Sequence, residues 1–124
     1  MDNIKIYQKT ILDHSKKPEN YKILKPCTHH AKANNPLCGD KVEIFTNINS
    51  DNIAKNITFQ GAGCAISIAS ASILTKVLIN KKLSDTNTIL VNFINMIENK
   101  DFNFDLIDER EKHLLMTFSE IKKF

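Results

Sequence analysis

Two short segments of the chain carry residue types that bind metal ions or transfer sulfur. The first, residues 35–40, reads N-P-L-C-G-D and places Cys38 two positions before Asp40. In an extended or turning backbone, side chains two positions apart point to the same side, so a thiolate and a carboxylate can converge on one cation. The alternative is a hairpin turn in which Cys38 is half-buried and the Asp40 carboxylate bonds its own backbone. Spacing alone leaves both interpretations open.

The second segment, residues 61–72, reads G-A-G-C-A-I-S-I-A-S-A-S and places Cys64 at the start of a predicted helix. The unpaired N–H groups and the positive dipole end of a helix lower the pKa of a thiol there. A thiolate is the form that binds metal or attacks sulfur. The glycines allow close approach of the backbone, but the lysine of a phosphate-binding loop is missing. For the serines and alanines of residues 67–72, close helix packing is the favoured interpretation.

Cys38, Asp40 and Cys64 make three candidate ligands, whereas a zinc site takes four protein ligands, or three and an open position. We predict His113 as the fourth, because imidazole binds zinc and iron. A single histidine on a helix is more often a surface or core residue, and that alternative stays open. Cys27 is a spare ligand or an incidental thiol. The weaker histidine candidates are His14, His29 and His30.

The elements that must position these residues begin with a helix and an edge strand. Apolar residues at spacings of three and four, from Ile4 to Leu12, predict a first helix, with Asp2 as a candidate N-cap and Pro18 as a stop signal. Residues 28–34 form a candidate edge strand, although their pattern is poor.

A hairpin and a run of helices follow. Alternating apolar residues predict strands over residues 41–48 and 53–60, with a break at the glycines that follow. Helical patterns then cover residues 64–80, a segment that ends at residue 98, and the last part of the chain. The predicted N-caps of the last two helices are Ser84 or Asp85, and Asp108.

Segregation of strands from helices predicts an α+β fold, with a small antiparallel three-stranded sheet packed against a run of helices. The 124 residues, of which 42% are hydrophobic and 25% charged, suit one domain spanning residues 1–124.

Composition also excludes several classes of function. A net charge of +3 without a long basic run does not indicate nucleic-acid binding. The longest apolar stretch, residues 62–79, is interrupted by serines, a threonine and a lysine, so we expect no membrane span. The first 15 residues lack the apolar core of a signal peptide. Three cysteines, an odd count, do not suit a disulfide framework. We therefore expect a cytoplasmic protein, with an organelle matrix as the alternative location.

The two cysteine segments resemble the NifU/IscU/SufU family of iron–sulfur cluster assembly proteins. Residues 35–40 match the family signature N-P-x-C-G-D, and residues 61–72 match the signature G-x-G-C-x-I-S-x-A-S-A-S of its SufU-like branch. Residues 13–20, D-H-S-K-K-P-E-N, are similar to the family segment D-H-Y-x-x-P-x-N. Both cysteine motifs occur in the family order, and the SufU-like branch is the better match.

The resemblance implies a SufE/NifU-like fold and a site formed by Cys38, Asp40 and Cys64. In SufU-like proteins these positions hold zinc, and a cysteine desulfurase passes persulfide sulfur to a site cysteine. In IscU-like proteins the equivalent positions assemble a [2Fe–2S] cluster, so the cluster or Fe²⁺ is the alternative to zinc. The implied partners are a cysteine desulfurase and downstream iron–sulfur acceptor proteins. The chain is at most a sulfur-transfer protein acting with the desulfurase, since nothing indicates an independent nucleophilic enzyme.

The chain departs from the family where a third cysteine belongs, early in the last helix. Residues 110–113 read R-E-K-H, and no cysteine follows Cys64. The segment between the second motif and the last helix is also shorter than in SufU-like proteins. His113 can donate a nitrogen to zinc but cannot carry a persulfide, so transfer would use Cys64 or Cys38. Three hypotheses follow: a zinc-binding sulfur acceptor, a cluster-assembling scaffold, and a non-catalytic partner of a desulfurase.

Overall fold

A computed structural model describes residues 3–37 and 39–120, which form an antiparallel three-stranded sheet and four helices. The predicted α+β class and three-stranded sheet are confirmed. In chain order the elements are α1 (Asn3–Lys16), β1 (His29–Asn35), β2 (Asp40–Ile48), β3 (Ala54–Ala62), α2 (Ala65–Leu78), α3 (Leu83–Ile97) and α4 (Glu109–Met116).

Strand β2 lies at the centre of the sheet and pairs with β3 in an antiparallel hairpin, and β1 is an edge strand on the other side of β2. The predicted hairpin is therefore confirmed, as is the edge strand. The predicted break at the glycines is wrong by two residues, because Gly61 pairs with Val42 and Ala62 with Lys41. Pairing with β2 thus keeps the backbone extended to Ala62, and only Gly63 and Cys64 separate β3 from α2.

Helix α2 supplies the middle of the hydrophobic core. Its residues Ala69, Ile73 and Val77 have no exposed surface, and the helix packs against both α1 and β3. Phe93 of α3 meets Phe118, which follows α4, edge to face with ring centroids 5.8 Å apart. Because α2 contacts elements on two sides, its axis is fixed relative to the sheet.

Helix α1 contributes a narrow apolar stripe. Ile11 packs against the core, whereas Ile4 and Leu12, which the pattern places on the same face, are 47% and 50% exposed. No residue of α1 is fully buried. The candidate N-cap Asp2 lies outside the described residues.

The predicted N-cap of α3 is wrong, because the helix begins at Leu83 with Lys82 as N-cap. The Leu83 N–H donates to the Asn52 carbonyl oxygen at 2.9 Å, so a contact with the distant hairpin turn starts the helix early. Asp85 lies in the first helical turn, where its charge favours the helix dipole.

The predicted N-cap of α4 is confirmed. Asp108 accepts a hydrogen bond from the Glu111 N–H at 2.7 Å, and the Glu111 side chain accepts one from the Asp108 N–H at 3.2 Å. This capping box satisfies two of the N–H groups that a helix start leaves unpaired. Glu111 also pairs with Lys81 at 2.5 Å, which ties the start of α4 to the connection between α2 and α3. Across the described ranges, no helix has the length and apolarity needed to cross a bilayer.

Candidate functional site

The two cysteine segments meet where the β2–β3 hairpin passes into α2. Asp40 is the first residue of β2, and Cys64 is the residue that immediately precedes α2. The Cys64 N–H donates a hydrogen bond to Asp40 Oδ1 at 3.3 Å. The Asp40 carboxylate therefore accepts a hydrogen bond from the backbone of a residue 24 positions away. Hairpin register explains the contact, since the neighbouring residues Lys41 and Ala62 are directly paired.

The glycines before Cys64 permit this close approach. A Cβ atom on Gly63 would lie 2.5 Å from Asp40 Oδ1 and 2.6 Å from Ser67 Oγ. A Cβ atom on Gly61 would lie 2.1 Å from the Lys41 carbonyl oxygen. Neither position has room for a side chain, so the glycines bring the Asp40 carboxylate against the start of α2.

The Cys64 thiol is exposed and lies at the N-terminus of α2. Ser67 Oγ lies 3.6 Å from the sulfur and donates to the Cys64 carbonyl oxygen at 3.1 Å. The Ser67 backbone N–H and hydroxyl lower the pKa of Cys64, against smaller raising effects of burial and of the Asp40 charge. The Ser67 N–H has this effect although the Cys64 side chain does not form a complete capping hydrogen bond. The site therefore stabilises the thiolate, the reactive form, relative to a cysteine with an unshifted pKa.

Cys38 lies outside the described residues, so its place in the site stays a prediction. The residues on either side of it are exposed, and Leu37 is 96% exposed. The Gly39 N–H donates to the Asn35 carbonyl oxygen at 2.7 Å, and Gly39 has a φ of 74°, which glycine adopts without strain. Leu37 and Gly39, which precede Asp40 in the chain, therefore lie at the protein surface.

His113 lies exposed on α4. Its ring packs against that of Tyr7 on α1, with centroids 5.7 Å apart. Within residues 3–37 and 39–120, no three histidine, cysteine or acidic side chains lie close enough together to hold a metal ion. The structure therefore describes Asp40 and Cys64 as one half of the predicted ligand set, and the roles of Cys38 and His113 stay predictions.

The other ligand candidates have separate surroundings. Cys27 is a half-buried free thiol. Each of the three weaker histidine candidates has a hydrogen-bond partner outside the Asp40–Cys64 pair: the contacts are His14–Ser72 at 2.7 Å, His29–Thr28 at 2.9 Å and His30–Glu43 at 2.5 Å.

Comparison with known proteins identifies the family. Residues 6–101 match the NifU-like N terminal domain. The chain belongs to this family. The match contains both cysteine motifs and ends before α4, so the region that carries His113 lies beyond it. The predicted resemblance is thus confirmed over the Asp40–Cys64 pair, and the departure falls outside the matched region.

Relatives within this family bear names from iron–sulfur cluster assembly. The NifU-like chain is 33% identical over 103 residues to the zinc-dependent sulfurtransferase SufU of Bacillus subtilis strain 168, covering 83% of this chain and 68% of that protein. It is 31% identical over 96 residues to the iron–sulfur cluster assembly scaffold protein IscU of Streptococcus pyogenes serotype M1, covering 77% of this chain and 59% of that protein. Both branches considered from the sequence are therefore represented.

Solved structures support the same assignment. The NifU-like chain superposes with a TM-score of 0.83 on a candidate iron–sulfur cluster assembly scaffold protein of the SUF system from Fervidobacterium islandicum AW-1. The two are 27% identical, and the match covers 97% of this chain and 84% of the other. A NifU-like N-terminal structure from Brucella abortus, 20% identical with a TM-score of 0.79, shares the fold.

Sequence reasoning missed one residue of the site. It assigned the serines of α2 to helix packing, but Ser67 contacts the Cys64 sulfur. A signal was present, since a residue three positions after an N-cap presents its N–H to the cap. The packing interpretation does hold for Ser72, which is fully buried.

Proposed function

We propose that this NifU-like chain works in iron–sulfur cluster assembly as a zinc-binding sulfur acceptor. The observation that carries the proposal is the contact between Asp40 and the backbone of Cys64, with the Cys64 thiol exposed beside it. A carboxylate and a thiol of lowered pKa lie next to each other at a surface that a partner protein can reach. The family match and the SufU relative support the choice of chemistry.

The donor atoms of this pair suit zinc, which takes cysteine sulfur and carboxylate oxygen. Asp40 alone opposes thiolate formation, because its negative charge raises the pKa of Cys64. A divalent cation held between the two groups would reverse that effect. The pair would therefore be more stable with a metal ion bound than without one. We propose Cys38, Asp40, Cys64 and His113 as the ligands. Bound zinc supplies positive charge that keeps the thiols deprotonated.

The sulfur-accepting step uses one exposed thiolate. Cys64, as the thiolate, attacks the terminal sulfur of a persulfide on a cysteine desulfurase. A new S–S bond forms on Cys64, the S–S bond of the desulfurase breaks, and its cysteine leaves as a thiolate. Cys38 is the second candidate acceptor. The Ser67 N–H and hydroxyl, which lower the pKa of Cys64, prepare this nucleophile.

The proposal names a cysteine desulfurase as donor and iron–sulfur acceptor proteins downstream, with neither nucleic acid nor membrane as a partner. It places the reaction in the cytoplasm. Cys27 and Cys64, the two described cysteines, are free thiols, as a reducing compartment requires.

The test is persulfide transfer with a purified cysteine desulfurase and cysteine as the sulfur source. We expect mass spectrometry of peptides to find one added sulfur on Cys64 or Cys38. A Cys27→Ser variant is the matched control and should accept sulfur normally. Absence of added sulfur from both Cys38 and Cys64 would contradict the proposal.

A second candidate function, assembly of a labile [2Fe–2S] cluster, is favoured by the IscU relatives. Anaerobic reconstitution with iron and sulfide separates the two. Visible cluster absorption would support the scaffold, and a colourless protein containing zinc would support the acceptor. If a Cys64→Ala variant still binds the desulfurase and leaves its turnover unchanged, the chain is instead a non-catalytic partner.

The metal content of the purified protein tests the ligand set. We expect about one zinc per chain in the wild type. Less zinc in His113→Ala, with thermal unfolding unchanged, would support His113 as a ligand. Full zinc occupancy in that variant would remove His113 from the set and leave the other three residues.

A further inference from the structure

A short segment before the sheet lies along the outer edge of β3. We call residues 19–22 the edge segment. The Lys22 N–H donates to the Phe59 carbonyl oxygen at 2.9 Å, and the Phe59 N–H donates to the Asn20 carbonyl oxygen at 3.0 Å. Tyr21 thereby forms a parallel bridge with Phe59. The edge segment therefore pairs with β3 through a single bridge, like a strand that is only one residue long.

The Tyr21 side chain continues this pairing where the edge segment ends. Gly61 is the next residue of β3 whose polar groups point outward, since alternate residues face β2. The Tyr21 hydroxyl donates to the Gly61 carbonyl oxygen at 2.7 Å and accepts from the Gly61 N–H at 3.3 Å. The Tyr21 ring meets Phe59 edge to face at 5.1 Å. One hydroxyl therefore satisfies both backbone groups of Gly61.

The edge segment is fixed to the buried part of α2. The Glu19 N–H donates to Ser72 Oγ at 2.7 Å, and Asn20 Nδ2 donates to Thr75 Oγ1 at 3.1 Å. Ser72 and Thr75 are 0% and 2% exposed. The Tyr21 hydroxyl thus extends from a backbone that is anchored in the core on one side and paired with β3 on the other.

We infer that Tyr21 is a positioning residue for the Asp40–Cys64 pair. Its hydroxyl holds Gly61 from outside the sheet, while on the inner side Gly61 lies against the Lys41 carbonyl group. Gly61 lies three residues before Cys64, and Lys41 directly follows Asp40. Holding Gly61 between the two therefore sets the distance from the carboxylate to the start of α2.

The inference depends on the proposed function in one respect only, namely that the Asp40–Cys64 pair is the functional site. The test variant is Tyr21→Phe, which removes the hydroxyl and keeps the ring against Phe59. Thr46→Val is the matched control, because it removes a hydroxyl that donates to the Asn56 carbonyl oxygen at 2.7 Å, at the far end of the hairpin.

The first measurement is the alkylation profile of Cys64, which is the time course of its reaction with iodoacetamide in metal-free protein at one fixed pH, followed on the Cys64 peptide. In Tyr21→Phe we expect faster alkylation than in the wild type, because Gly61 loses its partner and the contacts around Cys64 open more often. The second measurement is zinc affinity by competition with a chromogenic chelator. We expect roughly a tenfold loss, the low end for groups that orient metal ligands.

Thr46→Val should leave both measurements as in the wild type, whatever its effect on thermal unfolding. The inference is overturned if Tyr21→Phe has the wild-type alkylation profile and the wild-type zinc affinity. It is also overturned if Thr46→Val shifts both quantities as much as Tyr21→Phe does. If the wild type accepts no sulfur, the proposed function fails, yet the alkylation profile of the metal-free protein still tests the role of Tyr21.

Discussion

The two ends of α2 differ in how far they are buried and in what they contact. At the N-terminal end Cys64 is exposed, and the first buried residue of the helix is Ala69. Further along, Ile73 and Val77 have no exposed surface and hold the helix between α1 and β3. The reactive end is open to a partner, whereas the anchored end fixes its position. Substitutions at the anchored end should therefore alter stability, and substitutions at the open end should alter chemistry.

The largest effect should come from Ile73→Ala, at the anchored end. Removing buried methyl groups from a core residue costs about 2–5 kcal/mol of unfolding free energy, because it also leaves a cavity. Chemical denaturation measures this loss, and Ile73→Val, expected to cost about 0.5–1.5 kcal/mol, is the control. Where Ile73→Ala remains folded, its Cys64 alkylation profile should match the wild type. A change in that profile without a loss of stability would reverse the assignment of the two ends.

Ser72, which directly precedes Ile73 in the anchored part of α2, should give an intermediate effect on stability. Ser72 Oγ accepts the Glu19 N–H and shares a 2.7 Å hydrogen bond with His14 Nδ1, so Ser72→Ala leaves two partners unpaired. We expect a loss of about 1–3 kcal/mol in unfolding free energy, measured by denaturation. Ser70→Ala, which removes only a local bond to the Ser67 carbonyl oxygen, is the control. Equal losses in the two variants would show that the bonds of Ser72 to Glu19 and His14 contribute nothing to stability.

A substitution at the open end should act on metal binding. The methyl group of Gly63→Ala would displace both the Asp40 carboxylate and the Ser67 hydroxyl. We expect about a tenfold loss of zinc affinity, equivalent to about 1.4 kcal/mol, with a smaller change in unfolding free energy. Ala65→Ser, an exposed neighbour, should bind zinc as the wild type does. Unchanged zinc affinity in Gly63→Ala would place the metal away from the Asp40–Cys64 pair.

The smallest effect concerns acid stability. Burial lowers the pKa of His14 below its ordinary 6.5, with a further lowering by Lys76 against raising effects of Glu19 and Asp13. Neutral His14 is therefore the form that the fold favours. The associated stability is complete above about pH 6.5 and is lost as the pH falls through the lowered pKa.

We accordingly expect the wild type to lose more thermal stability between about pH 7 and pH 5 than His14→Asn does. Differential scanning fluorimetry over this range measures the effect. His29→Asn, a change on the exposed edge strand, is the control and should follow the wild type. Parallel curves for the wild type and His14→Asn would show that protonation of His14 has no cost in the fold.

Local signals made most of the fold predictable. The alternation over the hairpin, the capping residue Asp108 and the glycines before Cys64 each determine nearby backbone. Predictions failed where a distant contact decided the outcome. The early start of α3 depends on the Asn52 carbonyl group, and the extension of β3 to Ala62 depends on pairing with Lys41.

The candidate site divides in the same way. Proximity of Asp40 and Cys64 follows from the hairpin between them, together with the family signatures. The contact of Tyr21 with Gly61 spans 40 positions and has no sequence pattern of its own. Ser67 was misassigned because serines along a helix serve packing and site contacts alike. The assignment of Cys38 and His113 as metal ligands remains a prediction.

The edge segment also has a consequence for self-association. An unpaired strand edge is a template for joining other chains. The edge segment, residues 19–22, pairs with the outward-facing backbone groups of Phe59 and Gly61. It thereby covers this part of the β3 edge without adding a full strand. The opposite edge, β1, keeps its whole length exposed, and its sequence H-H-A-K-A-N-N is polar. Histidine, lysine and asparagine there oppose sheet-to-sheet aggregation, so each side of this small sheet is protected by a different means.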